Sequence, residues 1–227
     1  MRRKVKMTEG QWQQWFEAVW ADREERIYAA QFGELGEGIY PLDPTVFQHS
    51  FGCDEIDPRW LTIGVFESPP NQGRTSWVYV SSGLSNAWDA DGPQPGESSG
   101  LGMEFVMECG KRAPWALALV RTLTAYQVLL AAGQFGERPL LGAWGRMQPG
   151  GPIDGKKSKL DTLLFAPSTR HGGAQELSSG KFEFLQILGT SKAELDWGKT
   201  HGFEKLHERL LALDLAPVVD AGRASIE

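Results

Sequence analysis

The sequence predicts an α+β fold, and three observations predict it. Amphipathic helical patterns stand at residues 8–29, 114–132 and 202–213. Apolar or alternating runs of strand length fall between them. The regular strand–helix–strand alternation of a parallel α/β sheet is missing.

The first helix opens at Thr8, where Thr8 and Gln11 fit a capping box: each side chain satisfies the other's free backbone N–H. Trp12, Trp15, Phe16, Val19 and Ile27 share one face at helical spacing, and Arg23 interrupts that stripe. Three glycines in residues 33–38 end the pattern. Residues 60–66 form an apolar run that predicts a strand, as do residues 77–80. Residues 87–99 are a loop rich in glycine and proline. Residues 101–108 alternate: Leu101, Met103, Phe105 and Met107 face one side, and Gly102, Glu104, Val106 and Glu108 the other. Pro114 suits the first turn of the second helix and Gly133 its stop. Residues 135–159 read as irregular. Residues 160–165 and 181–188 are strands, the second apolar on both faces and therefore central. Ser191 and Glu194 form a second capping box that opens a short helix. Residues 215–219 close the chain as a strand. No internal repeat or linker divides the sequence, so residues 1–227 are expected to form one domain.

Composition narrows the function classes. With 227 residues, 41% of them hydrophobic, the chain can bury a core without disulfide staples. The net charge of −6 disfavours a nucleic-acid partner. The basic residues of segment 1–6 are a short tail with no apolar stretch after them, and no run is long and apolar enough for a membrane span. Two cysteines, Cys53 and Cys109, make no disulfide framework, so a cytoplasmic location is expected.

Motif fragments with catalytic overtones fail in context. Gly96-Glu97-Ser98-Ser99-Gly100 spells G-x-S-x-G, but a loop precedes the serine and a strand follows it, the reverse of a nucleophile elbow. Glu104 and Glu108, at ~3.3 Å per residue, stand about 13 Å apart, too far for a glycosidase pair; they read as a solvated sheet face, or with Glu104 held by backbone donors. Asp89-Ala90-Asp91-Gly92 lacks the later ligands of a calcium loop. Ser178-Ser179-Gly180-Lys181 lacks the first glycine and the helix of a phosphate loop. Gly100-Leu101-Gly102 lacks the third glycine of a dinucleotide fingerprint. His49 and Cys53 find no second pair at zinc spacing. His171 sits in a glycine-rich loop and reads as solvated; His207 lies on the apolar side of the last helix and His201 points away from it. Lys111 and Arg112 beside Cys109 would lower its pKa in a reactive thiol, but a lone cysteine with no histidine partner reads more readily as structural. No catalytic residue, metal ligand or cofactor site is assigned. The enzymatic alternative is a hydrolase or transferase using Cys109 or Ser98 with a distant histidine.

An ordered set of segments carries a family resemblance: Trp77-Val78-Tyr79-Val80-Ser81-Ser82-Gly83-Leu84-Ser85, Ser99-Gly100-Leu101-Gly102-Met103-Glu104-Phe105, Gly151-Pro152-Ile153-Asp154, Phe182-Glu183-Phe184-Leu185-Gln186-Ile187-Leu188-Gly189, Glu194-Leu195, and Asp220-Ala221-Gly222-Arg223-Ala224-Ser225-Ile226. Spanning residues 60–227, it resembles the suppressor of fused domain, and its first helix is closer to the shorter bacterial members. The 87–99 loop departs from the animal protein. The resemblance implies a mixed, mainly antiparallel sheet flanked by helices, no enzymatic activity and a protein partner. For bacterial members it further implies an immunity-type inhibitor that neutralises a toxin. The acidic charge suits a basic partner surface. Trp88, Asp89, Asp91 and Glu97 then form a candidate contact patch, an exposed aromatic among acids; the equal alternative is that Trp88 packs on the sheet edge and the acids solvate the loop.

Overall fold

The structure, a computed structural model, describes residues 7–227; the basic tail at residues 1–6 lies outside them. The Thr8 capping box forms: Thr8 Oγ1 accepts from the Gln11 N–H at 3.3 Å, and Gln11 Oε1 from the Thr8 N–H at 3.0 Å. Helix α1 (Glu9–Ala21) runs on through a π-helical stretch, Asp22–Tyr28, into α2 (Ala29–Phe32). The wider π turn accompanies a buried inner face of Arg23, Ile27, Tyr28 and Phe32. Gly33, at φ +78°, ends the helix.

Strand β1 (Ile39–Pro41) and helix α3 (Pro44–Phe51) follow. The strand expected from residue 60 starts later. Pro58 and the Asp57 side chain, which accepts the Arg59 N–H, set a 3₁₀ turn over Pro58–Thr62, and β2 is Gly64–Ser68. Strands β3 (Trp77–Ser82) and β4 (Ser98–Cys109) and helix α4 (Pro114–Ala131) fall where the pattern placed them. The irregular stretch after α4 contains β5 (Arg146–Met147). Then come β6 (Thr162–Pro167), β7 (Gln175–Leu177), β8 (Gly180–Thr190), α5 (Lys192–His201), α6 (Phe203–Ala212) and β9 (Val218–Val219).

The strands form one sheet in the order β1-β2-β3-β4-β8-β6-β5, with β7 added to β8 and β9 to β4. The pairs β4–β8 and β4–β9 are parallel and the others antiparallel. This is the mixed, mainly antiparallel sheet flanked by helices. β4 and β8 lie at its centre, which explains the two apolar faces of β8.

Each sheet face buries its own core. Phe105, Met107 and Cys109 pack with Val120 and Leu123 of α4 and with Leu206 and Leu210 of α6. On the opposite face Val78, Val80, Val106 and Phe184 pack under Val19, Ile27, Tyr28 and Phe32 of the N-terminal helix. Full burial of each such side chain contributes about 1.5–3 kcal/mol. The alternation of β4 is thus buried on both sides. Glu104 and Glu108 are fully buried rather than solvated, because α1 and α2, far away in sequence, cover their face.

The chain end is tied down by charge. Arg223 meets Glu194 through two bonds of 2.5 and 2.8 Å, and the same carboxylate accepts the Ile226 N–H at 3.0 Å. Among the described residues no helix is long and apolar enough to cross a membrane.

Candidate functional site

The site starts from Glu104. Its Oε1 accepts the backbone N–H groups of Gly83 and Ser85, each at 2.9 Å, and the Ser85 hydroxyl at 2.7 Å. Its Oε2 accepts the Ser81 hydroxyl at 2.5 Å. The chain leaving β3 therefore wraps around one carboxylate. Arg23, fully buried, lies 4.0 Å from Glu104 and donates to Asn86 Oδ1 at 2.6 Å and Ser85 Oγ at 3.1 Å. The positive charge that interrupted the apolar stripe of the first helix is the countercharge of this cluster. From the other side Gly100 presses in at φ +55°. A Cβ there would lie 2.5 Å from the Asn86 carbonyl oxygen and 2.7 Å from that of Leu84, so only glycine fits.

This fixed loop forms one side of a cleft of about 480 Å³, closed by the 3₁₀ turn and the C-terminal end of α4. Ile63, Leu84, Leu101 and Val128 give it apolar walls, and Trp60 and Trp88 add two indoles. The charges at its edge are Asp57, Arg59 and Asp89. Arg59 is held by Asp57 through bonds of 2.6 and 2.9 Å, and stands 3.7 Å from Asp89.

Two of the four predicted contact residues, Trp88 and Asp89, line this cleft. Trp88 is half-buried rather than exposed: its ring lies 4.3 Å from that of Phe16, because α1 backs the loop. Trp12 of the same helix donates to the Ala90 carbonyl at 2.7 Å. The Asp89 side chain is fully exposed. Asp91 and Glu97 are exposed further along the loop. Sequence reasoning missed Asn86, Leu84 and the Pro58–Thr62 turn as parts of this site. Besides Trp88 and Asp89, the arginine that interrupts the apolar stripe of the first helix was the sequence signal available for it.

The enzymatic alternative finds no support. Cys109 is buried, and its thiol is pushed up to about 12 by burial and by the charges of Glu108 and Asp220. The reactive-thiol alternative thus fails, and the structural reading of Cys109 agrees with its burial. Ser98 is exposed at the start of β4. Among the described residues no hydrogen bond joins either side chain to a histidine. His171, expected in solvent, is buried; its Nδ1 stands 3.2 Å from Gln31 Oε1 and its ring 4.6 Å from that of Phe32. His207 is buried on the inner side of α6 beside Trp144, and His201 stacks on Trp197. Among the described residues no three His, Cys, Asp or Glu side chains group to hold a metal ion.

The family model described as suppressor of fused protein matches residues 59–224. The chain belongs to the suppressor of fused family. The matched segment begins within the 3₁₀ turn and contains the β3–β4 loop, Gly100 and Glu104, whereas α1–α3 precede it. Among solved structures the chain is similar to a suppressor of fused homologue from Neisseria gonorrhoeae, with 18% identity over 93% of this chain and 94% of that one and a TM-score of 0.56. It is similar to the structure of the Sufu–Fu complex at 22% identity, covering 82% and 79% of the two chains with a TM-score of 0.51. Drosophila Suppressor of Fused matches at 22% identity over 60% of this chain, with a TM-score of 0.45. The aligned chain spans about a third of that protein, 35%. At these identities the likeness is one of fold. No curated protein matches the chain in sequence.

Proposed function

We propose that this chain is a non-enzymatic protein-binding module that acts as an immunity-type inhibitor, holding and neutralising a partner protein such as a toxin. The observation that carries the reading is the cleft beside the β3–β4 loop: apolar residues in its walls, Asp57, Arg59 and Asp89 at its edge, and a loop fixed by Glu104, Arg23 and Gly100. A preformed concave surface binds without losing entropy to loop ordering. The contact patch is Trp88 and Asp89 at the cleft, with Asp91 and Glu97 flanking it. A family structure that is a complex of Sufu with Fu supports a protein as the ligand. The two free thiols fit a cytoplasmic setting.

The test is affinity capture from the native cell with the tagged full chain, beside an Asp89→Lys, Asp91→Lys variant. The expected result is one partner retained by the native chain and lost by the variant. That partner should arrest growth when expressed alone, and co-expression of the native chain should restore growth. Retention of no specific partner, or equal retention by both proteins, contradicts the proposal.

A further inference from the structure

We infer that the segment seated in the cleft is an extended stretch of the partner in which a lysine or arginine flanks an aliphatic side chain. This rests on the proposed binding role and adds the chemistry of what is bound. Three observations converge on it.

The first is charge. Arg59 is the cation lining the cleft, and Asp57 already holds it through two short bonds. Asp89 is left with only the 3.7 Å approach of Arg59, its carboxylate fully in solvent, and Asp91 and Glu97 lie exposed on the same loop. A cation brought here meets several carboxylates that lack a close partner. A phosphate or an acidic segment meets repulsion, which disfavours nucleic acids and anionic lipids.

The second is shape. Leu84, Ile63 and Val128 line the cleft together, and Leu84 and Ile63 are almost wholly buried. These apolar walls suit an aliphatic side chain, and the apolar stem of a neighbouring lysine or arginine can lie along Trp60 or Trp88.

The third observation is independent of both. Asn86 lines the cleft and is only 5% exposed; its Oδ1 accepts from Arg23, and its Nδ2 has no acceptor among the described residues. Trp88 Nε1 is likewise buried without an acceptor. Two unpaired N–H groups two residues apart, in the wall of one cleft, call for acceptors from outside the chain. An extended peptide offers backbone carbonyls along one edge. Both N–H groups are buried in this structure, so an incoming carbonyl reaches them only as the side chains turn toward the cleft.

The experiment pans a random 12-residue peptide library, displayed on phage, against the full chain, and measures the enriched peptides by fluorescence anisotropy. Two variants are compared with the native chain: Asp89→Lys, and Ala131→Trp, which fills the cleft from the exposed end of α4. The expected result is enrichment of lysine or arginine within two positions of leucine, isoleucine or valine. Affinity should fall at least tenfold in each variant and weaken with salt. If Ala131→Trp does not fold, Asp89→Lys alone decides. Enrichment of neutral or acidic sequences, no enrichment, or affinities unchanged by the variants overturns the inference. If native-cell capture nevertheless yields a partner, the binding role stands and only the assigned chemistry falls.

Discussion

Glu104 and Glu108 sit four residues apart on one face of β4, both withdrawn from solvent, and they are held in opposite ways. Glu104 accepts four bonds, all from neutral backbone or serine donors, with Arg23 as a buried countercharge at 4.0 Å. Glu108 is half satisfied. Its Oε2 takes the Ser76 hydroxyl at 2.6 Å and Arg170 at 2.7 Å, while Oε1 has no hydrogen-bond partner among the described residues and faces His171 Nε2 at 3.7 Å. The Arg170 side chain is 44% exposed. The closed carboxylate fixes a loop and the wall of the cleft. The open one joins the 168–171 turn to the sheet through charges that solvent and pH can reach.

The largest effect should come from Glu104→Ala. It leaves the buried Arg23 with only the partly exposed Glu24, 3.7 Å away, as countercharge and frees the 83–85 turn, an expected loss of about 3–5 kcal/mol. Glu108→Ala should cost less, about 1–3 kcal/mol, because Arg170 can turn into solvent. Urea unfolding of both variants checks the order. A larger loss at Glu108 would break the comparison.

Next is Gly100→Ala. The added methyl group meets two carbonyl oxygens of the loop that Glu104 holds, at a positive φ. An expected loss of about 2–4 kcal/mol follows. Calorimetry would show it, and an unchanged melting temperature would mean that the loop is not fixed.

Acid should loosen the Glu108 side. Burial pushes the Glu108 pKa up, but His171, Ser76 and Arg170 more than offset it and hold the value below 4.5. Glu194 is lowered in the same way: Arg223 and the N–H groups of Ser191 and Ile226 outweigh the effect of burial. In both cases the unfolded chain takes up the proton at higher pH than the folded one. Their contribution is therefore complete above pH 4.5 and falls as pH drops below it. Burial also lowers His207 below 6.5, so the loss begins nearer that pH. Urea midpoints between pH 7 and pH 3.5 should decline, and Glu108→Gln should flatten the acid limb. A midpoint that rises toward acid would reverse the sign.

The smallest of these effects is Thr8→Ala, about 1 kcal/mol from the lost cap. Hydrogen exchange should quicken in the first turn of α1, and no change there would show that the cap is inert.

Local signals were legible because they act over three or four residues. The boxes at Thr8–Gln11 and Ser191–Glu194, the Pro114 start of α4 and the alternation of β4 all appear where the pattern put them. The sequence was silent wherever a distant element decides the outcome. Alternation puts Glu104 and Glu108 on one face, yet only the packing of α1 and α2 makes that face dry. His171 is buried by Phe32 and Phe184, and Trp88 is covered by Phe16, all remote in sequence. Residues 60–66 misled because a strand-like composition there yields to the Asp57–Pro58 turn. Arg23 was the readable exception: a charge inside an apolar stripe demands buried partners, and Ser85, Asn86 and, at 4.0 Å, Glu104 are those partners.

The most direct measurement is quantitative capture of the cellular partner by three chains of equal melting temperature: the native chain, Asp89→Lys, and Glu208→Lys on the exposed side of α6 as a matched charge change. Binding at the cleft requires that Asp89→Lys lose the partner while Glu208→Lys retains it. Equal retention by all three, or equal loss in both variants, would place the interaction elsewhere or reduce it to net charge.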